Sequence, residues 1–239
     1  MLTTVDAVYP AAKAVFWPGL RYGLRWTIDG AAHIPAAGPV IVASNHISYL
    51  DPLTLAYVVN VQHRRIRYLA KAELFDVKVL GSLLRLAHQI PVNRGRPDSA
   101  GALSAAVDAL ARGECVGVFP EGTISLDLEP MRGKSGTARL AQESGVAVVP
   151  VGLWGTHRIL MKGRKPRWRW GVAEVAVVGE PVQIGTDEHV RAGTQRIMDA
   201  ITVCVARARE LYPQRPKPGE DAWWWRDPES ATLHHRRTA

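Results

Sequence analysis

VIVASNHISYLD, residues 40–51, joins a short apolar run to a polar loop that ends in an aspartate. The β-branched residues of the run are typical of a buried strand. Asp51 precedes Pro52 and the apolar stretch LTLAYVV, which predicts a helix with Asp51 as its N-cap and proline in its first turn. His46 lies in the loop between strand and helix, where α/β proteins place their sites.

The same alternation continues along the chain. Helical patterns separate the apolar runs and cover residues 98–112, 136–144 and 187–211, the last with Asp187 and Glu188 in its first turn. Runs of strand length occupy residues 40–43, 66–70, 88–92, 115–119, 146–151 and 172–178. This order predicts one α/β domain with a central mixed sheet flanked by helices.

Both ends of the chain differ from this middle part. Residues 5–26 suit two short amphipathic helices, split by Pro18 and Gly19, that either lie in a membrane interface or cover the domain core. The last residues are rich in proline and charge and lack periodicity. We therefore divide the chain into an N-terminal interfacial segment (1–30), the α/β domain (31–212) and a C-terminal tail (213–239).

The charge balance indicates an anionic partner. Lys and Arg number 30 against 22 Asp and Glu, which gives a net charge of +8. Nucleic acid, a phosphorylated small molecule and a lipid surface all fit such a surplus, and the basic, Trp-containing run at 164–170 suits either nucleic acid or an anionic membrane. No apolar window reaches the ~20 residues of a spanning helix, and no secretory signal is evident. We expect a protein that is either cytosolic or attached peripherally to the cytoplasmic face of the membrane.

Three polar loops follow predicted strands: NHISYLD, NRGRPD and PEGTIS. In the first loop, Asp51 can accept a hydrogen bond from one imidazole nitrogen of His46 and leave the other free to take a proton. Alternatively, Asp51 only caps the helix. A metal site is disfavoured because no third ligand lies nearby in sequence and the chain has only two cysteines.

The other two loops carry further candidates. Arg94, with Arg96 beside it, offers a planar guanidinium that suits phosphate or carboxylate, although exposed arginines are also common without a ligand. Glu121 follows a strand that should be buried, so it needs a hydrogen-bonding partner. Backbone amides, an acceptor hydroxyl or an arginine could fill that place.

Taken in order, NHISYLD, IPVNRG, FPEGTIS and VVPVGLWGT resemble the four sequence blocks of the glycerolipid acyltransferase family, which includes 1-acyl-sn-glycerol-3-phosphate acyltransferases. The resemblance covers residues 38–156. It implies that His46 is the general base and that Asp51 orients it. It also assigns substrate contacts to Arg94 and Lys71 at the acceptor phosphate, to Glu121, Gly122 and Thr123 in the same pocket, and to Pro150, with Val149, near the acyl chain.

The third block departs from the family pattern, because many relatives have Thr-Arg-Ser where this chain has Thr123, Ile124 and Ser125. The resemblance implies a cofactor-independent transfer of a fatty acyl group from acyl-CoA or acyl carrier protein to lysophosphatidic acid, at an anionic membrane surface and without nucleic acid. One alternative keeps this chemistry with another lysolipid or a glycolipid as acceptor. The alternative of a different class is a basic nucleic-acid-binding or membrane scaffold protein without catalysis.

Overall fold

Seven strands form one sheet in the computed structural model, which describes residues 14, 17–86, 89–92 and 99–227. The order across the sheet is β1-β7-β6-β2-β5-β3-β4. The strands are β1 (Leu24–Asp29), β2 (Val40–Ser44), β3 (Ile66–Lys71), β4 (Ile90–Val92), β5 (Cys115–Val118), β6 (Val148–Trp154) and β7 (Val172–Val178).

The sheet is mixed, as predicted. Strands β6, β2, β5, β3 and β4 are parallel, whereas β7 runs antiparallel to β6 and carries β1 parallel to itself at the edge. The carboxyl ends of β2, β5, β3 and β4 therefore meet at one edge of the sheet. The loops that contain His46 and Glu121 both begin at this edge.

Helices cover both faces of the sheet. They are α1 (Asp51–Asn60), α2 (Lys78–Leu86), α3 (Ser99–Ala111), α4 (Gly136–Ser144) and α5 (Val190–Leu211). Within β2, Ile41 and Ala43 pack in the core cluster that includes α3, α4 and α5, whereas Val40 and Val42 pack in the cluster that includes α1. Because alternate residues point to opposite faces, a strand covered on both sides is apolar throughout, which explains the unbroken run at β2.

The N-terminal segment does not consist of helices alone. Residues 17–23 are helical, but Leu24–Asp29 form β1, which pairs with β7 over its whole length. Leu20 is buried in an apolar cluster with Leu24 and Ile159. Leu20 and Leu24 thus contribute to the core, and the alternating apolar and polar residues after Gly23 suit an edge strand. The earlier part of the predicted interfacial segment lies outside the described residues, apart from residue 14.

Residues 213–227 pack against the domain and do not leave it. Trp224 is 3% exposed, and its carbonyl oxygen lies 2.9 Å from Nε2 of the buried His157. The guanidinium of Arg158 stacks on the Trp224 indole at 3.6 Å. Burial lowers the pKa of His157 to about 3, so its neutral ring donates this hydrogen bond. Trp224 is therefore part of the core.

The final helix also begins later than predicted. It starts at Val190, and His189 caps it by accepting from the Arg191 amide at 3.3 Å. Asp187 and Glu188 precede the helix, where Glu188 instead pairs with Arg196 at 2.8 Å. Among the described residues, no helix combines the length and apolar character needed to span a bilayer.

Candidate active site

His46 and Asp51 are hydrogen-bonded to each other at the carboxyl edge of the sheet. The distance from His46 Nδ1 to Asp51 Oδ2 is 2.9 Å. The Asp51 side chain is fully buried, and the His46 side chain is 17% exposed. The ring of His46 also stacks on Phe119, with centroids 4.4 Å apart and an interplanar angle of 26°. The hydrogen bond that the loop position of His46 allowed is present, and the imidazole is held from two directions.

Asp51 is the first residue of α1, and Leu50 occupies the N-cap position. The prediction that Asp51 is the N-cap is therefore wrong. Its carboxyl group turns back to the preceding loop. Its Oδ2 accepts the amide hydrogens of Ile47 at 2.6 Å and Ser48 at 2.8 Å. The same oxygen that accepts from His46 therefore fixes the backbone of the loop that carries His46.

These contacts determine which nitrogen of His46 carries hydrogen. Asp51 Oδ2 accepts from two backbone amides, so it also acts as an acceptor toward Nδ1, and Nδ1–H is the donor. In the neutral ring, Nε2 then keeps a free lone pair. No described residue forms a hydrogen bond to that nitrogen, which is thus available to accept a proton from a bound alcohol.

Glu121 fastens the third loop to the first. Its Oε1 accepts the His46 amide hydrogen at 3.1 Å, and the Ser125 amide donates to the His46 carbonyl at 2.8 Å. Glu121 is only 3% exposed, and burial raises its pKa to about 8, against the lowering effect of the His46 and Met131 amides. The backbone amide expected as a possible partner is therefore that of His46 itself.

A buried glutamate of β7 supports Asp51 through one intermediate residue. Glu174 Oε2 accepts the Thr156 amide hydrogen at 2.7 Å, and the Thr156 hydroxyl lies 3.3 Å from Asp51 Oδ1. Complete burial, with the charge of Asp51 as a lesser cause, raises the pKa of Glu174 well above its usual range. Gly155 allows this approach: it has a φ of 147°, and a β-carbon there would come within 2.4 Å of Glu174 Oε2.

Asn45 joins the loop that carries His46 to β6. Its side-chain Nδ2 donates to the Leu153 carbonyl at 3.0 Å, and its Oδ1 accepts from the Leu153 amide at 2.8 Å. Both hydrogen bonds are buried. Together they continue the connection between β2 and β6 by one residue beyond Ser44, where the backbone pairing of the two strands ends. The sequence interpretation did not include Asn45, Thr156 or Glu174. A single glutamate inside the apolar run VAEVAVV was the available signal for Glu174.

Lys134 is a further cation at this edge that the sequence interpretation did not include. Gly122 has a φ of 71°, and a β-carbon at this position would lie 3.0 Å from Lys134 Nζ. The Lys134 amide donates to the Pro120 carbonyl at 2.9 Å, and the residue is exposed. Its ammonium group forms no ion pair with a described residue. Gly122 thus allows a free positive charge to lie directly against the Glu121 loop.

The remaining residues of the third block differ in exposure. Thr123 is exposed beside Gly122, whereas Ile124 is 7% exposed. The position where many relatives carry arginine is therefore filled by an apolar side chain directed into the protein.

The structure gives less information on the positions of the other residues predicted to bind substrate. Lys71 is the last residue of β3, so its backbone lies at the same edge of the sheet. Arg94, with Arg96, lies outside the described residues. Pro150 is buried within β6, and its ring lies 3.0 Å from the position of a β-carbon at Gly179, next to α5. The contacts found for Pro150 among the described residues do not join it to the His46 cluster, and its role near an acyl chain stays a prediction.

Comparison with known proteins gives a consistent result. Residues 25–154 match the sequence profile of the family described as Acyltransferase. The chain is 30% identical over 171 residues to the 1-acyl-sn-glycerol-3-phosphate acyltransferase of Bacillus subtilis, covering 72% of this chain and 79% of that protein. It is 30% identical over 191 residues to an acyltransferase of the same name from Chlamydomonas reinhardtii, covering 78% of this chain but 56% of that longer protein.

The fold is also similar to a solved structure. The crystal structure of the 1-acyl-sn-glycerophosphate (LPA) acyltransferase PlsC from Thermotoga maritima aligns with a TM-score of 0.64 and 26% sequence identity. The alignment covers 89% of this chain and 81% of the PlsC chain. The matched profile spans β1 to β6 and contains the His46–Asp51 pair and Glu121. The chain belongs to the acyltransferase family.

Proposed function

We propose that this protein transfers a fatty acyl group from a thioester donor, acyl-CoA or acyl carrier protein, to the free hydroxyl of lysophosphatidic acid, giving phosphatidic acid. The observation that carries the proposal is the His46–Asp51 pair, whose free Nε2 lies at the sheet edge that also holds Glu121 and Lys134. The names of the relatives support the choice of acceptor.

In the proposed reaction, His46 Nε2 removes the hydroxyl proton as the acceptor oxygen attacks the thioester carbonyl. The tetrahedral intermediate then expels the thiolate, and the imidazolium returns a proton to the sulfur. Asp51 holds Nδ1–H and stabilises the positive charge that forms on the ring. A thioester is already activated, so holding the two substrates in line with this base suffices without a covalent enzyme intermediate.

The acceptor phosphate requires cations near His46. Lys134 supplies one beside Gly122, in the loop whose Glu121 holds the His46 amide. We expect Lys71 at the end of β3, and Arg94 in the loop after β4, to contribute further contacts, because these loops begin at the same edge. Thr123 is exposed next to Gly122 and can donate a hydroxyl hydrogen to the same group.

A second acceptor class has a specific observation in its favour. Ile124 is buried and apolar at the position of an arginine in many relatives, so one phosphate contact is missing from the third loop. A lysolipid or glycolipid with a different headgroup would be less affected by that loss. The chemistry at His46 would be unchanged.

The acceptor is a lipid, so we expect the enzyme to work as a peripheral protein at the cytoplasmic face of the membrane. The net charge of +8 favours a surface of anionic phospholipids.

The test is a transfer assay with labelled acyl-CoA and labelled acyl carrier protein, each offered a panel of lysophospholipids and a glycolipid. We expect labelled phosphatidic acid and release of one thiol per product, and we expect neither with His46→Ala. Transfer to an acceptor other than lysophosphatidic acid would support the second class. Absence of thiol release with every pair, from folded protein, would refute both.

A further inference from the structure

Four aromatic side chains are conspicuously exposed. Tyr22 is 76% exposed, Tyr49 54%, Trp168 59% and Trp170 70%. No other aromatic residue in the described ranges is among the exposed large apolar side chains. Large aromatic residues on a monomer surface normally bury most of their area, so a set of four indicates a binding surface.

The chain segments that carry these four side chains contact one another. A β-carbon at Gly23, next to Tyr22, would lie 3.4 Å from the Trp170 ring and 3.8 Å from the Trp168 ring. The Tyr49 amide donates to the Leu160 carbonyl at 3.1 Å, and Arg167 donates to the neighbouring Ile159 carbonyl at 2.8 Å. The segment 159–170 therefore contacts both the loop that carries His46 and the end of the helical residues 17–23. We call the surface formed by Tyr22, Tyr49 and residues 162–170 the aromatic–basic face.

Positive charge alternates with the tryptophans on this face. All residues from 162 to 170 are exposed. Arg164, Lys165 and Arg167 line a cavity of about 280 Å³ together with Asp221 and Trp223, and the Arg164 guanidinium stacks on the Trp223 ring at 3.9 Å. Arg167 and Arg169 also line a neighbouring cavity, whereas Trp168 and Trp170, between and after them, are directed to Gly23. Arg164, Lys165 and Arg167 form no ion pair with any residue in the described part of the chain.

We infer that the aromatic–basic face docks on an anionic phospholipid bilayer. Trp168, Trp170 and Tyr22 would enter the headgroup region, where aromatic rings with one polar atom are favoured. Arg164, Lys165 and Arg167, which form no ion pair with a described residue, would contact lipid phosphates. Single-stranded nucleic acid fits less well. Two successive bases of a stacked strand fit best on nearly parallel aromatic rings, but the two tryptophan rings stand at 89° to each other with centroids 6.4 Å apart.

Docking through this face would place the His46 loop at the interface from which a lipid acceptor arrives. The purpose of the docking, though not the docking itself, rests on the proposed function. Tyr49 lies three residues after His46, and Ser48 donates to the Leu160 carbonyl at 2.8 Å. The loop that carries His46 and the segment 159–170 are therefore packed against each other. The docking itself is measurable without any acyl transfer.

The test is flotation of the full-length protein with vesicles of phosphatidylcholine, with and without phosphatidylglycerol. Combining Trp168→Ser with Trp170→Ser should reduce the bound fraction at least about tenfold, whereas Val61→Ser with Val203→Ser, at exposed sites elsewhere, should not. Changing Arg164, Lys165 and Arg167 to Gln should lower affinity for phosphatidylglycerol vesicles roughly a hundredfold. The same change at Arg139, Arg191 and Arg207 removes equal charge from exposed helix positions and should have a much smaller effect.

The results separate the two proposals. A tryptophan variant that loses flotation yet acylates a short-chain, monomeric acceptor at the normal rate supports docking. Flotation of both face variants at wild-type levels overturns the docking proposal, and so does an equal loss of flotation in the control variants. The proposal is also overturned if the charge variant loses affinity for an oligonucleotide but keeps its affinity for vesicles. Absence of acyl transfer by the wild type would refute the proposed function and leave the flotation result interpretable.

Discussion

The buried carboxyl group of Glu174 accepts the backbone amide hydrogen of Thr156 at 2.7 Å. The Thr156 hydroxyl in turn lies 3.3 Å from Asp51 Oδ1, on the side of the carboxyl away from His46. Strand β7, which lies more than 100 residues after the His46–Asp51 pair in the sequence, thus supports that pair through Thr156. Since Glu174 has no contact with His46, we expect it to position the pair rather than to take part in chemistry.

Replacing Glu174 with alanine should lower kcat about tenfold, the equivalent of one lost hydrogen bond, with little change in KM for either substrate. Burial raises the pKa of Glu174, so glutamine resembles its neutral form and keeps an oxygen for the Thr156 amide. Glu174→Gln should therefore retain most activity. Steady-state kinetics of both variants, with thermal unfolding as a folding control, check this. Equal loss of kcat in both, or a change confined to KM, would contradict a positioning role.

Replacing His46 with alanine should reduce kcat by about 10² to 10⁴ because the proposed general base is lost. The side chain is partly exposed and its backbone contacts to Glu121 and Ser125 remain, so the unfolding midpoint should change little. The matched control is His63→Asn, which removes an exposed imidazole at a backbone φ of 55° that asparagine tolerates. Near-normal turnover by His46→Ala would end the proposed mechanism.

Replacing Lys134 with methionine should raise KM for lysophosphatidic acid about tenfold or more, because a charge-assisted hydrogen bond to the phosphate is lost. Lys134→Arg should keep part of the affinity, and the KM of an acceptor with an uncharged headgroup should stay constant. Arg132→Met removes an exposed cation two residues away and serves as the control. If both variants shift KM equally for every acceptor, Lys134 has no specific contact with phosphate.

The main features of the site could be predicted because its central pair is local. His46 and Asp51 lie in one strand–loop–helix unit, and apolar runs of strand length located β2 and β5. The supports of the pair could not be predicted in the same way. Asn45 is 108 residues from its partner Leu153, and Thr156 is 105 residues from Asp51, so these contacts depend on the order of strands in the sheet.

The differences between prediction and structure at the ends of the chain have a related origin. Among the described residues, edge strand β1 pairs only with β7, which follows it by more than 140 residues, and its residues also suit an amphipathic helix when read alone. The proline-rich segment after Tyr212 lacks periodicity, yet Trp224 is buried because Arg158 and His157 hold it. Composition indicates how much apolar surface a segment can bury alone, but it does not indicate what a folded domain offers it.

Glu121 should make stability depend on pH in a defined direction. Burial raises its pKa from 4.5 to about 8, so the folded state binds this proton more tightly than the unfolded state does. Its contribution to the free energy of unfolding is complete below about pH 4.5 and is lost as pH rises through about 8. Glu121→Gln keeps an acceptor for the His46 amide but cannot ionise, so urea unfolding at about pH 5 and about pH 8 should show a smaller decrease than in the wild type. The exposed Glu143→Gln should leave the wild-type decrease unchanged, and the same decrease in both variants would mean that Glu121 ionises without cost in the folded protein.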